Sequence, residues 1–402
     1  MGISDEPPAE VGVCGAKGLD EVGEVLTAEQ LAESKEYGRR ELWCAVADVC
    51  IDVLYLAVMA LAGARVLDLA LRQWGCMHTP IVRLMALYLV VLAVHLAVSF
   101  PLSFYAGFVL EHRYRLSRQS VGRWLRRYAL RNLLVMLFGL LLAVGLFAII
   151  WWTGPWWWLV AALASFVVTV VMGQLVPILI LPLFYKIEKL DNDALMARFQ
   201  RLASGTSLKL EGVYRMRLST ETAKANALLT GLGRTRRVIL GDTLLDGFEP
   251  DEIEVVLAHE IGHHVHHHIA KLILLGLASS VVSFFVSDRV LVAWVAAAEG
   301  TFDYAQTPVW ALPMLLLVMT VSSMVLGPVR NGISRRFERT CDEYALRVTG
   351  NAEAFRSAFR RLAKVNKADP SPHPLEVALF HDHPPIASRL ALARTDVSRE
   401  AH

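Results

Sequence analysis

The most constraining feature of this chain is a run of 54 residues, Asn132–Tyr185, that contains no Asp, Glu, Lys or Arg. A charge at the centre of a bilayer costs about 3 kcal/mol on insertion scales, so uncharged apolar runs mark membrane spans. Because one helical crossing needs about 20 residues, the run predicts two helices with a turn at Trp152-Thr153-Gly154-Pro155. The whole chain is 55% apolar and 19% charged, which favours a multi-pass membrane protein over a soluble one.

Four further spans bring the expected number to six. Leu84–Leu110 and Ala305–Val329 are free of charged residues, whereas the other two runs are interrupted. Asp48, Asp52 and Arg65 interrupt the first span, at about 45–70, and the fifth runs from Leu272–Ser287 past Asp288 and Arg289 towards Trp294.

The distribution of arginine predicts the orientation of these spans. Residues 111–131 contain seven arginines and no lysine, whereas the turn after Trp152 contains no basic residue. The positive-inside rule therefore places 111–131, both termini, 186–270 and the residues after 330 in the cytoplasm. The arginines also fit a solvated helix face, which leaves the topology unchanged. Arginine greatly outnumbers lysine, which suggests a bacterial protein of the inner membrane, and the net charge of +2 gives no indication of nucleic-acid binding.

His259-Glu260-Ile261-Gly262-His263 is the strongest chemical signal in the sequence. Residues four apart lie on one face of a helix, so both imidazoles can bind one metal ion. Glu260 can then act as general base on a metal-activated water. Glu249-Pro250-Asp251-Glu252 predicts the start of this helix, which we expect to continue straight into the fifth span. The alternative is a helix that is rich in histidine by chance.

A catalytic zinc site needs a third protein ligand. His267 lies about 12 Å from His259 along a straight helix, which would place the two nearly opposite each other across the metal, so we expect the ligand to come from another element. Glu338 and Asp342 are four residues apart on a predicted helix after the sixth span. Glu338 would bind the metal, and Asp342 would accept a hydrogen bond from a ligating histidine. The residues alone leave open that both acids are surface groups paired with neighbouring arginines.

Over about 30–395 the order of motifs resembles the type I CaaX prenyl endopeptidases, integral-membrane zinc metalloproteases. The similar segments are Pro101–Glu111 with Gln119, Leu181–Lys186, Asn226-Ala227 with Gly231, Val238–Leu245, His259–His263, Ser334–Glu338 with Asp342, and His383–Pro385 with Arg389. The resemblance implies a helical bundle that encloses an intramembrane chamber beneath a zinc domain.

The resemblance also implies a role for each matching residue. It implies one Zn2+ per chain, bound by His259, His263 and Glu338, with Glu260 as general base and Asp342 as the acid behind the ligands. It further implies that Asn226 and the stretch to Leu229 hold the substrate backbone, that His383 stabilises the oxyanion, and that Arg389 supports the zinc ligands. Two residues depart from the family pattern: Cys341 replaces the usual Ala, and Ala225 replaces Ser or His.

The expected fold class is mainly α, with about six spans and a cytoplasmic zinc metalloprotease domain that contains a small β element at Val238–Leu240. We expect a disordered polar leader at 1–40, a membrane domain at 41–185, and a peptidase domain at 186–402 that includes spans at about 271–295 and 305–329. The expected partners are the lipid bilayer and a peptide or protein substrate. The substrate is either a C-terminal CaaX-type or lipidated peptide, or a misfolded membrane protein.

Two rival functions make different demands on the sequence. Six histidines between 259 and 268 also fit a metal-binding membrane transporter, although transporters usually place ionisable ligands inside their spans. An intramembrane protease would need the metal motif within an apolar run, whereas Asp251, Glu252 and Glu254 closely precede it here.

Overall fold

The computed structural model describes residues 26–204, 206, 212–231 and 237–400, and they form a mainly helical membrane protein with one small sheet. The predicted fold class is therefore confirmed. The helices before the sheet are α1 (Ala28–Val58), α2 (Ala64–Arg72), α3 (Pro80–Phe104), α4 (Glu111–Arg113), α5 (Val121–Thr153), α6 (Trp157–Leu175) and α7 (Leu181–Phe184).

Within the described residues, five helical segments are long and apolar enough to cross a membrane: Ala28–Arg72, Pro80–Arg113, Val121–Phe184, His268–Glu299 and Val309–Thr349. The third of these has 64 residues and contains both α5 and α6, which pack against each other. Gly154 ends α5 with φ +56°, a backbone conformation that favours glycine. The six predicted spans correspond to these segments when α5 and α6 are counted separately.

The first span begins earlier than the sequence suggested. Helix α1 starts at Ala28, where Thr27 and Gln30 form a capping box. Residues 28–40 of the expected disordered leader are therefore helical, and residues 1–25 lie outside the described part of the chain.

Two of the acidic residues within the spans have hydrogen-bonding partners. Asp288 is fully buried and accepts hydrogen bonds from Trp157 Nε1 at 2.7 Å and Tyr304 Oη at 3.0 Å. In the first span, Asp52 Oδ1 lies 2.7 Å from His95 Nε2. These contacts lower the cost of placing Asp288 and Asp52 within apolar segments.

A four-stranded sheet follows α7 in the chain. Its strands are β1 (Ile187–Lys189), β2 (Gly212–Met216), β3 (Ala227–Thr230) and β4 (Arg237–Gly241), in the order β1-β2-β4-β3. Strand β2 pairs parallel with β4, and β3 pairs antiparallel with β4. Strand β4 contains the predicted Val238–Leu240 element, and β3 forms one edge of the sheet.

The remaining helices surround this sheet and continue into the membrane. They are α8 (Asp193–Ala203), α9 (Asp242–Gly247), α10 (Pro250–Val265), α11 (His268–Glu299), α12 (Leu312–Thr349), α13 (Ala352–Asn366), α14 (Pro374–Phe380) and α15 (Ile386–Glu400). Helix α12 starts at Leu312, seven residues after the predicted start of the sixth span. It is 38 residues long and includes both predicted acids, Glu338 and Asp342.

Helix α10 lies at the centre of the domain. Glu249 and Glu252 form a capping box at its predicted start. Leu257, Ala258 and Ile261 are fully buried in a core shared with β4, α12 and α13. The helix does not run straight into the next span as expected, because His267 adopts a left-handed conformation (φ +55°) between α10 and α11. A left-handed residue ends an α-helix and turns the chain.

Candidate metal centre

Three predicted ligands converge between α10 and α12. His259 Nε2 lies 3.2 Å from one carboxylate oxygen of Glu338, and His263 Nε2 lies 3.2 Å from the other. His259 and His263 are one turn apart on α10, so their rings lie 5.1 Å apart on the same face. His259 and Glu338 are buried, and the side chain of His263 is 20% exposed.

This arrangement fits a metal ion better than it fits hydrogen bonds among the three side chains. Glu338 Oε2 is buried and makes no hydrogen bond within the described part of the chain, although His259 Nε2 is close to it. Ligands at about 2.0–2.1 Å from a tetrahedral zinc lie about 3.3 Å from one another, which matches the observed separations. All three ligand atoms lie within 4.8 Å of one another. The two nitrogens and the carboxylate can therefore hold one metal ion.

Asp342 and Arg389 lie directly behind the ligands. Asp342 Oδ1 lies 2.9 Å from His259 Nδ1, and Arg389 Nε donates to Asp342 Oδ2 at 2.8 Å. All three side chains are at least nine-tenths buried. The guanidinium of Arg389 also lies 3.8 Å from the ring centre of Phe359. This layer fixes the imidazole so that Nε2 points to the site, as partners of metal ligands commonly do.

The pKa of His259 reflects the carboxylates around it. Burial lowers this pKa, but the neighbouring carboxylates of Asp342 and Glu338 outweigh burial and raise it to about 9. A raised histidine pKa means that the surroundings favour a positive charge at this position. The site therefore attracts cations.

Glu260 joins the ligand helix to the edge of the sheet. Its carboxylate accepts a hydrogen bond from the backbone N–H of Leu229 in β3 at 3.1 Å. The carbonyl of Asn226 faces β4, where it accepts from Gly241. Because successive residues of an antiparallel strand alternate in direction, the backbone groups of Ala227 and Leu229 point away from β4. Glu260 therefore lies beside the outward edge of β3, and among the described residues no other strand pairs with that edge.

A cavity of about 650 Å3 brings most of the predicted site residues together. Residues Asn226, His259, Glu260, Glu338, His383 and Arg389 line it. His263 and Asp342 do not line the cavity, but they contact residues that do. The cavity also borders α1, through Tyr37 and Glu41 among others.

His383 reaches the site from the segment before α15. Its Nε2 lies 3.5 Å from Glu338 Oε2, and its Nδ1 lies 2.7 Å from Asp382 Oδ1. The hydrogen bond with Asp382 raises the pKa of His383, against the effect of burial. Asp382 was not identified from the sequence, although its position directly before His383 is a signal that could have found it.

Sequence reasoning also missed a set of polar contacts next to the cavity, where Tyr37 and Lys224 are among the lining residues. Lys224 Nζ donates to Tyr37 Oη at 2.9 Å and to Glu111 Oε1 at 3.1 Å. Because Tyr37 lies 187 positions and Glu111 lies 113 positions from Lys224 in the chain, no local pattern indicated these contacts.

Known proteins resemble this chain along almost its entire length. Residues 18–186 match the family model described as CAAX prenyl protease N-terminal, five membrane helices, and residues 189–397 match peptidase family M48. The "Uncharacterized metalloprotease YhfN" of Bacillus subtilis is 28% identical over 76% of this chain and 72% of its own length. The CAAX prenyl protease 1 homolog of Arabidopsis thaliana is 27% identical over 72% of this chain and 68% of its own. The crystal structure of S. mikatae Ste24p covers 91% of this chain and 89% of its own, with a TM-score of 0.77 and 22% identity.

Proposed function

The chain belongs to peptidase family M48 and is a membrane metalloprotease, and we propose that it is a zinc endopeptidase with Glu260 as its general base. The observation that carries the proposal is the convergence of His259, His263 and Glu338 at zinc-like separations beside the carboxylate of Glu260. The resemblance of the whole chain to CaaX prenyl endopeptidases supports the same chemistry.

His259, His263 and Glu338 would hold one zinc ion per chain. When bound, zinc acidifies a water molecule and polarises the scissile carbonyl. Asp342 holds His259 in the tautomer that presents Nε2 to the site, and Arg389 keeps Asp342 ionised and fixed. In the proposed mechanism these residues bind the metal ion and orient its ligands.

Glu260 would carry out the proton transfers. It is adjacent to His259 on α10, and its carboxylate lies at the edge of β3, so it reaches both the metal centre and the substrate strand. In the proposed reaction it removes a proton from the attacking water and then delivers it to the leaving amine. His383 would donate a hydrogen bond from Nε2 to the developing oxyanion. The hydrogen bond with Asp382 raises the pKa of His383, which favours the protonated form that this role requires.

An extended peptide would bind along β3. The outward N–H and carbonyl of Ala227 and the outward carbonyl of Leu229 offer hydrogen bonds to an additional strand, a common mode of peptide recognition, whereas the Leu229 N–H already donates to Glu260. Asn226 is exposed in the same cavity, at the start of this edge, and its side-chain amide can bind a further backbone group of the substrate. Strand addition would place the scissile bond beside Glu260.

A substrate that carries an apolar group fits the space next to the site. A second cavity, of about 710 Å3, shares Glu41 and Ala45 of α1 with the first. Aromatic side chains, including those of Trp124, Tyr128 and Phe184, line one part of it, and charged residues such as Asp48, Arg127 and Arg131 line another. The aromatic part of such a pocket can bury an apolar group of a ligand. We therefore favour a C-terminal CaaX-type or lipidated peptide over a misfolded membrane protein.

The site would face the cytoplasm of a bacterial inner membrane. The arginine-rich segment 111–131 contacts the sheet domain, since Arg118 donates to the carbonyl of Ser219 and Arg123 to that of Thr220, both at 3.2 Å. Segment and domain therefore lie on the same side, and the positive-inside rule assigns that side to the cytoplasm. In a Cys76→Ala background, which removes an exposed thiol from the loop between the first two spans, a thiol reagent that cannot cross the membrane should label a cysteine introduced at Ser219 only after the cytoplasmic side is opened. Labelling in intact cells would contradict this orientation.

The Glu260→Gln variant tests the mechanism. Glutamine keeps the shape of the side chain but cannot take up a proton, so the variant should bind one zinc ion per chain and fail to cleave peptides. The control is Glu254→Gln, which changes an acid on the same helix that pairs with Arg198. Cleavage by zinc-loaded Glu260→Gln at the wild-type rate would refute the role of Glu260.

The same variant identifies the substrate. Proteins trapped by Glu260→Gln and not by wild type can be analysed by mass spectrometry. Enrichment of proteins with lipidated C-terminal tails would support the favoured class, and enrichment of damaged multi-pass membrane proteins would replace it with quality control.

A further inference from the structure

A second cluster of metal-binding side chains lies behind His263. His268 Nδ1 lies 3.3 Å from His263 Nδ1, and Cys341 Sγ lies 3.4 Å from the same nitrogen of His268. His268 and Cys341 are 2% and 0% exposed. These three side chains, which we call the His–His–Cys cluster, present all their ligand atoms within 4.8 Å of one another.

Hydrogen bonds cannot satisfy this cluster. The Nδ1 atom of a histidine carries either one proton or one lone pair, so His268 can pair with His263 or with Cys341 but not with both. The neighbouring His266 adds a further unsatisfied atom, because its Nε2 is buried with no hydrogen-bond partner in the ranges that the structure describes. The ring of His266 stacks on that of His268 at 5.5 Å. Buried polar atoms without partners are rare in native proteins and indicate a missing ligand.

We propose that the His–His–Cys cluster is a second metal site for a borderline-soft divalent ion such as Zn2+ or Cd2+. In tetrahedral coordination with Zn–N of about 2.0–2.1 Å and Zn–S of about 2.3 Å, two nitrogens lie about 3.3 Å apart and a nitrogen and a sulfur about 3.6 Å. The observed 3.3 and 3.4 Å are close to these values. Thiolate and imidazole are the ligands that such ions prefer.

Two backbone features build the cluster. The left-handed turn at His267 reverses the chain after α10, so the first residue of α11 comes back against His263. Gly262 allows α12 to approach, since a Cβ atom there would lie 3.2 Å from Cys341 Sγ and 3.1 Å from its Cα. A straight helix through 266–267 or a larger residue at 262 would separate the ligands.

His263 belongs to both metal sites. Its Nε2 faces Glu338 and its Nδ1 faces His268, so one imidazole would bridge two ions. Filling the second site then releases two protons, one from the Cys341 thiol and one from His263 Nδ1. The second ion should bind more weakly than the first, because it must displace both protons and because two nearby cations repel each other. The proposal goes beyond peptide hydrolysis and does not depend on it.

Cobalt substitution distinguishes the two sites, since only the second contains sulfur. The metal-free full-length protein in detergent would be titrated with Co2+ through two equivalents, with absorption and bound metal measured together. A thiolate-to-cobalt charge-transfer band should appear and two ions should bind per chain. In Cys341→Ala, the band should be lost and one bound ion should remain.

Two further variants make the result specific. Cys341→Ser keeps the size of the side chain and should also lose the band, which excludes a packing effect. Cys50→Ala removes an exposed thiol of α1 and should keep it. Absence of the band in the wild type through two equivalents, or its persistence in Cys341→Ala, would overturn the proposal. Loss of peptide cleavage in Glu260→Gln does not bear on it, so the two proposals can fail separately.

Discussion

Replacement of Asp342 by asparagine should weaken both the metal site and the fold. Asp342 is 1% exposed and receives hydrogen bonds from His259 and Arg389. Asparagine is almost the same size, but it is neutral and offers only one acceptor oxygen. The variant therefore leaves the positive charge of Arg389, itself 7% exposed, without its counter-ion.

The expected magnitude follows from this burial. Removing one partner of a buried ion pair costs about 3–5 kcal/mol, because the remaining charge stays desolvated. Removing a hydrogen-bond partner of a metal-bound histidine lowers metal affinity by about 10–100-fold. Asp342→Asn should therefore unfold at a clearly lower temperature without metal and should also bind zinc more weakly.

Thermal unfolding of the metal-free protein in detergent measures the first effect, and competition with a chelator measures the second. Glu343→Gln is a matched control, since Glu343 is the next residue of α12 and pairs with Arg339 while both are more than half exposed. That exposed pair contributes about 0–1 kcal/mol, so the control should behave like the wild type. An Asp342→Asn protein with wild-type melting temperature and zinc affinity would refute the reasoning.

Three further predictions concern the ligand histidine, the helix contact and the strand edge. Because the pKa of His259 is raised to about 9, a metal ion must displace its proton at pH 7. The apparent zinc affinity should therefore rise from pH 7 to pH 9 and then level off. An affinity that falls over this interval would contradict the assignment of His259 as a ligand. Gly262→Ala should destabilise the protein by about 1–3 kcal/mol through its contact with Cys341, whereas Gly276→Ala, which meets no atom within 4 Å, should not lower the melting temperature. Ala227→Pro should raise KM with little change in stability, since proline is tolerated on an edge strand but removes an outward N–H; an unchanged KM would argue against strand addition.

Local patterns in the sequence were sufficient to predict the spans and half of the metal site. A helix must satisfy its own backbone in a membrane, so the uncharged runs identified the membrane helices, including the hairpin at Gly154. The four-residue spacing likewise placed His259 and His263 on one face of α10. Glu338 and Asp342 were identified by the same spacing, but the residues alone did not show that they would meet α10.

The helix boundaries were less predictable where packing decides them. Helix α12 continues beyond its apolar part because the residues that follow are buried against α10, with Ala345 fully enclosed. Helix α10 ends at a histidine-rich sequence with no glycine or proline, so the left-handed turn at His267 had no local signal.

The sequence by itself determined that this chain is a multi-pass membrane protein with a pair of histidines and a glutamate poised for metal chemistry, because both properties follow from periodicity within one helix. Only the tertiary structure decided that Arg389 supports Asp342, that β3 forms an open edge at Glu260, and that His268 and Cys341 meet behind His263. These contacts join residues 31–83 positions apart in the chain. The last of them also depends on the turn at His267, which no local pattern indicates. Their formation depends on the packing of α10 against the sheet and α12, which sequence spacing does not record.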